Sequence, residues 1–372
     1  EPRAITIYPD ESTKPKQGEG LNKKAIDLIN NADLILISTG TFWSSIQPTI
    51  EYLGFGEYIN KSTAKKIWLF NNDKDGDTWG VNNLQLIDFM EKSGLNLSDF
   101  TLLTNKDAID NLKLQDSKHN FVEKSMGNNN GKHDPEKFAK AIFEVYYGLD
   151  ETYKTFIFDF DDTLWSRTQT ADNAKVSIEN VKFINDNLSE KSLIISGNGY
   201  DTIETKLNTI NKDYSAEFAV PIWADANSTL YKRSKKEKFL EDLVILDEDK
   251  AKVLTALDEL GYKDKITLYD KDKTVTIKVK PLTEDERKNL KAELEKLGLE
   301  NVKFCLTGRT TLDVLRKHNT KDVVCDYIDM DKTLYIGDEI ASGNDVAIAN
   351  KCTKHIEVKD VKETNVILKL LK

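Results

Sequence analysis

The chain has little cysteine, no excess of basic charge and no long apolar run, and each absence removes a class of protein. It holds three cysteines in 372 residues, without a C-x-x-C pair and with one left over, so neither a disulfide framework nor a structural zinc site is expected. A formal net charge of −10 offers no basic surface for nucleic acid or an anionic membrane. No apolar stretch approaches the roughly 18 residues of a membrane span. We therefore expect a cytoplasmic protein with no nucleic-acid and no membrane partner.

The chain also lacks a low-complexity tract and, at its N-terminus, a charged-then-apolar signal segment. It begins at Glu1 rather than Met, so the sequence leaves open whether it is a fragment of a longer protein. Its composition, 39% apolar and 31% charged, is that of a globular protein, and its length predicts two to three domains. We place the main boundary at residues 149–151, between a domain of residues 1–150 and a domain of residues 151–372.

The strongest chemical signal is an apolar run, Phe156-Ile157-Phe158, that leads into three carboxylates and a hydroxyl over residues 159–163. Such a run is typical of a buried strand in a parallel sheet, and the reactive groups of α/β proteins lie just beyond the carboxyl ends of the strands. Asp159 and Asp161 can point into the same crevice, one as a nucleophile and the other as a proton donor, whereas Asp162 faces elsewhere. The alternative is a strand followed by an Asx turn with solvated acids.

Three later segments place further polar groups at comparable points. Residues 191–195 lead as a predicted strand into Ser196-Gly197-Asn198, and residues 333–336 lead into Gly337-Asp338-Glu339. Between these two segments, Lys321 lies where residues 318–322 open a helix-like stretch. Because the carboxyl ends of parallel strands meet at one edge of a sheet, a single crevice could collect all four segments. Taken alone, each of these residues could instead be a surface group.

The four segments, in this order, resemble the haloacid dehalogenase superfamily across residues 153–372. The resemblance implies an aspartyl nucleophile at Asp159, an acid and base at Asp161, and Mg²⁺ held by Asp159, Asp338 and the backbone carbonyl of Asp161. Asp162 stands where glycine is commonest in that family. By position in the four motifs, the catalytic residues are Asp159, Asp161, Ser196 and Lys321, and the supporting residues are Thr163, Gly197, Asn198, Glu339, Asn344 and Asp345.

Elementary electrostatics explains why these residue types are needed together. A carboxylate that attacks a phosphate monoester brings like charges within about 4 Å, which costs roughly 4 kcal/mol per unit pair at an effective dielectric near 20. A divalent magnesium ion suits an all-oxygen site and would offset this repulsion. Lys321 adds a positive charge near the nucleophile, and the Ser196 hydroxyl can hold a phosphoryl oxygen.

Between the second and third segments lies an insert, which we place at residues 232–310. The basic run at residues 232–238 is typical of a solvated linker or helix face, residues 266–279 of a hairpin, and Thr283 to Glu286 of a helical capping box. A strand from Val302 to Leu306 closes an αββαβ unit. This arrangement resembles the C2-type cap of the superfamily, common among sugar-phosphate phosphatases, and the position of Arg309 at its end makes that residue a candidate substrate contact.

Residues 1–150 alternate predicted strands and helices. Ala4 to Tyr8, residues 33–37 and residues 66–70 are predicted strands, and residues 21–31 a helix. Residues 111–132 are a polar stretch that carries a Gly-Asn loop signal. The βαβα order predicts a doubly wound sheet. The expected fold class is therefore α/β, with two doubly wound Rossmann-like domains, the second carrying an inserted α+β cap.

The strand at residues 33–37 runs into a hydroxyl-rich turn, before a helix predicted from near Ile46. A strand, turn and helix in this order offer free backbone N–H groups and the positive end of a helix dipole to an anion. The alternative is a Ser/Thr-rich turn that only caps the helix. The candidate nucleotide or phosphate ligands are Ser38, Thr39, Gly40, Thr41, Ser44 and Ser45.

This turn, the loop at residues 71–76 and the segment 132–139 resemble the C-terminal half of the CofD-like group, over residues 4–148. That group comprises 2-phospho-lactate transferases and gluconeogenesis-factor proteins, so the resemblance implies a nucleotide or nucleotide sugar as partner. The family reads more like G-P-G-S where this chain has Ser38-Thr39-Gly40-Thr41, and its glycine-rich N-terminal strand and loop would lie before Glu1. A regulatory or inactive module is as consistent with the sequence as a transferase.

Together these patterns predict a Mg²⁺-dependent phosphatase that hydrolyses a small phosphorylated metabolite, such as a sugar phosphate, through an aspartyl-phosphate intermediate. One alternative is a phosphomutase, which would protect that intermediate from water. The other is a nucleotide-sugar-binding or transferase module served by an accessory phosphatase domain. The sequence does not name the substrate, because residues of a cap that would contact it cannot be identified from one chain.

Overall fold

The computed structural model divides the chain into two compact units, Glu1–Asp150 and Glu151–Lys372, and each is described by itself. Among the described residues, no helix combines the length and the apolar character needed to cross a membrane. The strand predicted at Ala4 to Tyr8 lies outside the described residues. The structure describes residues 21–71, 76–105, 118–127, 132–149, 152–225, 227–263, 266–271, 274–279, 282–307, 311–341 and 345–371.

The first unit contains a four-stranded sheet in the order β1-β2-β3-β4, with every neighbouring pair parallel. A parallel sheet needs crossover connections, and the helices between its strands supply them. The doubly wound α/β arrangement predicted for this region is confirmed. Its elements are α1 (Lys23–Asn30), β1 (Leu34–Ile37), α2 (Gln47–Glu51), α3 (Phe55–Lys61), β2 (Lys65–Leu69), α4 (Asn83–Lys92), β3 (Phe100–Asn105), β4 (Asn120–Lys124) and α5 (Pro135–Tyr147).

The two faces of this sheet pack into separate apolar clusters, as the alternation of side chains along a strand requires. On one face, Trp68 and Leu102 join a cluster with residues of α4 such as Met90. On the other face, Leu69 and Leu103 pack with α5. Burial of one such side chain contributes about 1.5–3 kcal/mol, so the central strands β2 and β3 hold the unit together.

Strand β4 corrects the sequence analysis, which predicted only a polar stretch across residues 111–132. Asn120–Lys124 pairs in parallel with β3 at the edge of the sheet. None of its side chains is fully buried, because an edge strand has a neighbour on one side only. Its sequence therefore lacks the apolar run by which β2 is recognised.

The second unit is built on a seven-stranded sheet in the order β15-β14-β5-β6-β7-β8-β9. The pairs from β15 through β7 are parallel, and β8 and β9 are antiparallel additions at one edge. Its elements are β5 (Thr155–Asp159), α6 (Ala171–Asn187), β6 (Ser192–Ile195), α7 (Tyr200–Asn208), α8 (Tyr214–Glu217), β7 (Ile222–Ala224), β8 (Thr229–Lys232), β9 (Lys235–Phe239), β14 (Thr333–Gly337), α11 (Val346–Ala349), β15 (Lys354–Glu357) and α12 (Val361–Leu370).

A second, separate sheet lies between β9 and β14 in the chain, and two helices pack on it. Its order is β10-β11-β13-β12, and all its pairs are antiparallel. Side chains of both helices and of β12 and β13 form a core of their own, which includes Val253, Leu290 and Leu312. The elements are α9 (Asp247–Glu259), β10 (Ile266–Lys271), β11 (Thr274–Val279), α10 (Glu284–Glu295), β12 (Val302–Thr307) and β13 (Thr311–Arg316).

The insert therefore differs from the predicted αββαβ unit at residues 232–310. The basic run predicted as a linker or helix face is instead the β8–β9 hairpin of the large sheet, turned by Arg233 and Ser234 at positive φ. At the other end, β13 continues the small sheet to Arg316, so the order of the insert is αββαββ. The predicted capping box is confirmed, because Thr283 accepts from the Glu286 N–H and the Glu286 side chain accepts from the Thr283 N–H.

Candidate active site

Three neighbouring strands carry the predicted site. Strand β5 lies between β14 and β6 and is parallel to both. Their carboxyl ends therefore meet at one edge of the sheet, so Asp159 at the end of β5 lies between Ser196, just after β6, and Asp338, just after β14. The order of strands, and not the order of residues in the chain, brings these groups together.

The ammonium group of Lys321 lies between two carboxylates of the site. Its Nζ lies 2.6 Å from Oδ1 of Asp159 and also pairs with Asp345. All three side chains are buried. Burial alone would lower the pKa of Lys321, but the two carboxylates raise it above its ordinary value, so the lysine is charged. Burial raises the pKa of Asp159, and Lys321 opposes that rise.

The loop that follows β5 carries the rest of the first motif and forms a tight turn. The N–H groups of Leu164 and Trp165 both donate to the carbonyl of Phe160, at 3.0 and 2.8 Å. Asp162 takes the left-handed conformation, with φ of 57°, and its carboxylate accepts from the N–H of Arg167 at 2.8 Å and pairs with the Arg167 guanidinium at 3.2 Å. The Asp162 carboxylate thus binds Arg167 and braces the loop.

Asp161 is held by two residues that lie downstream of β6. Lys206 on α7 donates to its Oδ1 at 2.5 Å, and the amide of Asn198 donates to its Oδ2. The sequence analysis named Asn198 but missed Lys206. A lysine on a surface helix carries no local signal of this kind, because only the tertiary fold places it beside the first motif.

Ser196 is buried at the end of β6, and the turn after it is braced from β7. The N–H of Asn198 donates to the Ser196 hydroxyl at 3.1 Å. Asp225, just after β7, accepts from the N–H of Tyr200 at 3.0 Å and so caps α7, while its own N–H donates to the carbonyl of Asn198 at 2.8 Å. Gly197, which lies between Ser196 and Asn198 in the chain, is exposed. Asp225 is a second residue that sequence reasoning missed.

The loop after β14 carries Asp338 and Glu339, both half-buried. Thr163 donates to Oδ1 of Asp338 at 3.4 Å, which joins the first and fourth motifs. Glu357, at the end of β15, accepts from the N–H groups of Ile340 and Ala341, both at 3.0 Å, and so fixes this loop. Burial, together with the neighbouring carboxylate of Asp345, raises the pKa of Asp338 to about 6.

Three of these carboxylates lie close enough together to hold a divalent cation. Ligand oxygens of Asp159, Asp338 and Asp345 all lie within 4.8 Å of one another. Carboxylate oxygens are the donors that Mg²⁺ prefers, and a cation would offset the mutual repulsion that raises the pKa of Asp338. The residues present therefore fit the implied metal, and Asp345, predicted only as a supporting residue, is one of the three carboxylates. Two predicted site residues, Asn344 and Arg309, lie outside the described residues.

The hydroxyl-rich turn of the first unit is largely occupied by its own neighbours. A five-residue π-helix, Phe42–Ile46, replaces the helix start predicted near Ile46. The N–H of Gly40 donates to the Asn71 side chain at 3.2 Å, and the N–H of Trp43 donates to the Asp77 carboxylate at 2.8 Å. These two donors are thus used within the unit.

The hydroxyls of this turn bond one another. Ser44 donates to the Thr41 hydroxyl at 2.7 Å, and the Thr41 and Ser45 hydroxyls are 2.8 Å apart. Ser38 and Thr39 follow directly after β1, Ser38 exposed and Thr39 half-buried. The hydroxyls of Thr41, Ser44 and Ser45 therefore bond within the turn, and the Thr41 side chain makes no capping hydrogen bond to the helix that follows.

Comparison with known proteins identifies the first unit. Residues 6–147 match the family described as 2-phospho-L-lactate transferase CofD. A curated gluconeogenesis factor of Halalkalibacterium halodurans is 28% identical, over 30% of this chain and 39% of its own length. The chain thus spans well under two thirds of that relative. The first unit is thus similar to the CofD family, as the resemblance stated for it predicted.

Among solved structures, the chain is similar at low identity to three kinds of protein. An N-terminally truncated IMP-nucleotidase of Plasmodium falciparum is 18% identical, with a TM-score of 0.43 over 62% of this chain and 74% of that one. The C-terminal domain of trehalose-6-phosphate phosphatase of C. albicans is 14% identical, with a TM-score of 0.46 over 62% and 96%. A haloacid dehalogenase-like hydrolase of Bacteroides thetaiotaomicron is 12% identical, with a TM-score of 0.42 over 59% and 100%.

Proposed function

We propose that residues 151–372 form a Mg²⁺-dependent phosphatase for a small phosphorylated metabolite. The observation that carries the proposal is the buried cluster around Lys321, whose ammonium lies 2.6 Å from Asp159 and joins it to Asp345. A buried carboxylate at a strand end, beside a fixed cation and two further carboxylates, has the groups that phosphoryl transfer to an aspartate needs.

In the first step, Oδ of Asp159 attacks phosphorus, and the bond from phosphorus to the leaving oxygen breaks. Asp161 gives its proton to that leaving oxygen, so an alcohol departs and an aspartyl phosphate remains. Lys321 offsets the negative charge that the two reacting anions bring together. The hydroxyl of Ser196 and a neighbouring backbone N–H would bind a phosphoryl oxygen.

In the second step, water attacks phosphorus and the bond between phosphorus and Asp159 breaks, which regenerates the carboxylate and releases inorganic phosphate. Asp161 takes the proton of that water and is then ready for the next cycle. Both steps need Asp161 within hydrogen-bond reach of the reacting oxygen, and its contacts with Lys206 and Asn198 support that position.

Asp159, Asp338 and Asp345 would hold the magnesium ion, together with the backbone carbonyl of Asp161 by resemblance. When bound, the ion would supply positive charge against the transferring phosphoryl group. We further propose that the αββαββ insert acts as the cap of this site and supplies its substrate-reading surface. A small phosphorylated metabolite such as a sugar phosphate is the substrate class that this arrangement suggests.

For the first unit, its CofD-like character supports a second proposal, that it binds a nucleotide or nucleotide sugar. The Asp77 carboxylate accepts a hydrogen bond from the N–H of Trp43 in the turn at residues 38–45. We therefore expect that such binding requires Asp77 to move.

The phosphatase proposal is tested by Asp159→Asn. The amide is a poor nucleophile, so magnesium-dependent release of phosphate should fall below a tenth of the wild-type kcat, a loss of more than ~1.4 kcal/mol in transition-state stabilisation. The assay is phosphate release from a panel of phosphorylated sugars, nucleotides and 4-nitrophenyl phosphate.

The matched control is Asp162→Asn, which removes a neighbouring carboxylate that pairs with Arg167 and has no part in the proposed chemistry, and keeps an acceptor for the Arg167 N–H. It should retain activity within about threefold, because asparagine tolerates the left-handed conformation. Equal activity in wild type and Asp159→Asn would remove Asp159 from the mechanism.

A further inference from the structure

Lys206 is a half-buried lysine that lies on α7, outside the four motifs, and contacts the acid–base carboxylate directly. Its Nζ lies 2.5 Å from Oδ1 of Asp161. The ammonium also lies 5.3 Å from the centre of the Phe160 ring, and Phe160 is the residue between the two aspartates. The lysine head is therefore fixed from two sides beside the first motif.

The second oxygen of the same carboxylate is held as well, by the amide of Asn198. Each carboxylate oxygen has two acceptor positions, so these two contacts leave one position free on each oxygen. Rotation of the carboxylate would break both contacts at once, and the contact with Lys206 is of the stronger, charge-assisted kind. Lys206 and Asn198 thus fix the direction in which the free acceptor positions of Asp161 point.

We propose that Lys206 is a positioning residue that holds Asp161 as the proton acceptor for hydrolysis of the aspartyl phosphate. The inference rests on the proposed phosphatase function and goes beyond it, because it assigns the residue to the second step. In that step Asp161 accepts a proton from water, which demands a carboxylate with a free oxygen position aimed at the water. In the first step with an aryl phosphate, the departing phenolate needs little help from Asp161.

The two steps can be separated with 4-nitrophenyl phosphate. For this substrate, kcat/KM reports steps up to formation of the aspartyl phosphate, whereas kcat also includes its hydrolysis. Lys206→Met keeps the length and apolar packing of the side chain but removes the ammonium. We expect kcat to fall at least tenfold, kcat/KM to change by less than threefold, and KM to fall in parallel.

A rapid-mixing experiment gives an independent signature. In Lys206→Met the aspartyl phosphate should accumulate, so that a burst of nitrophenolate approaching one equivalent of enzyme precedes the slow steady state. Lys206→Arg keeps a cationic donor and should restore kcat to within about threefold of wild type without a burst. Lys154→Met, which removes a surface lysine paired with Asp331, is the control and should behave as wild type.

Other outcomes overturn the inference. A loss in kcat/KM as large as that in kcat, without a burst and with an unchanged melting temperature, would assign Lys206 to the first step or to substrate binding. If the methionine variant is not folded, Lys206→Gln, which keeps a polar head and good helix propensity, takes its place under the same criteria. If Asp159→Asn keeps the turnover of the wild type, the phosphatase proposal itself is wrong. If Asp159→Asn is inactive but Lys206→Met behaves as wild type, only the inference about Lys206 is wrong.

Discussion

At the scale of single residues, Gly337 shows how closely the fourth motif is packed. It is the last residue of β14 and directly precedes Asp338. A Cβ at this position would lie 2.3 Å from Oδ2 of Asp345 and 2.8 Å from the Tyr335 ring, distances that real Cβ atoms do not show. Since Tyr335 is fully buried, the carboxylate of Asp345 would have to move.

We therefore predict that Gly337→Ala disrupts the pairing between Asp345 and Lys321. Magnesium-dependent kcat/KM for 4-nitrophenyl phosphate should fall at least tenfold, which is ~1.4 kcal/mol, and the melting temperature should fall with it. Gly76→Ala is the control, because a Cβ there meets no heavy atom of the described residues within 4 Å. If Gly337→Ala kept full activity, the site would tolerate displacement of Asp345, and its part in the carboxylate cluster would be in doubt.

Some residues of the candidate site could be predicted from the sequence and others could not. Asp159 and Asp161 were found because their apolar strand and their spacing are local features, and Lys321 because a family resemblance supplied its place. Lys206, Asp225 and Glu357 were not found, although each bonds a residue or loop of the site. Their partners lie many residues away in the chain, so only the fold brings the pairs together.

At the scale of secondary-structure elements, the start of α5 carries a histidine in an unusual setting. His133 packs against Phe138, with ring centres 4.8 Å apart, and both of its ring nitrogens are buried without a hydrogen-bond partner among the described residues. Burial lowers the pKa of His133 below its ordinary value. The folded unit therefore favours the neutral ring, whereas the unfolded chain takes up a proton near pH 6.5.

The sign of the pH effect follows from this difference. As pH falls through about 6.5, the unfolded state binds more protons than the folded state, so stability is lost toward acid and is fully present above that pH. We predict that the calorimetric unfolding temperature of the first unit falls between pH 7.5 and 5.5, and that His133→Gln reduces this slope. His119→Gln, which removes a histidine paired with Glu91, should leave the contribution of His133 in place. An identical slope in wild type and His133→Gln would exclude His133 as a source of acid sensitivity.

Two of the strands that were not predicted, β4 and β9, lie at sheet edges and present polar residues. The predicted strands β2, β5 and β6 are buried along almost their whole length and appear as apolar runs, and β3, which is equally buried, was not predicted. Strand β9 reads Lys-Lys-Glu-Lys-Phe, and charged residues are typical of edge strands because they discourage pairing with another chain. A basic run is therefore consistent with an edge strand as well as with a linker. The pairing of β9 with β8 shows that this run is an edge strand.

At the scale of the whole molecule, the large sheet of the second unit and its insert have separate apolar cores among the residues that the structure describes. One core joins β5, β6, β7 and β14 through residues such as Ile157 and Trp223. The other belongs to the insert alone and begins at Ile245. Because a domain needs its own core to fold, the insert can be removed without opening the sheet that carries the four motifs, provided that the cuts respect the sheet topology.

The last prediction uses this division to test the cap. Replacing residues 245–317 by a short glycine-serine linker removes the whole insert but keeps the hairpin of β8 and β9, which completes the edge of the large sheet. If the insert is the cap, the truncated protein should lose at least a hundredfold in kcat/KM for the substrate found in the panel, because the surface that reads it is gone. Turnover of 4-nitrophenyl phosphate should fall less than tenfold, since Asp159, Lys321 and Asp338 are untouched.

A second deletion tests the revised boundaries. Removing residues 232–310 instead would take away β9 and leave β13 without its sheet, so we expect that protein to melt at a lower temperature by circular dichroism. Equal losses on both substrates in a folded 245–317 deletion would mean that the insert supplies groups to the chemistry itself, and not only to recognition. The insert would then hold a catalytic side chain within reach of Asp159. Substituting the polar residues of the insert one at a time in the full-length protein, beginning with Arg309, would locate that group.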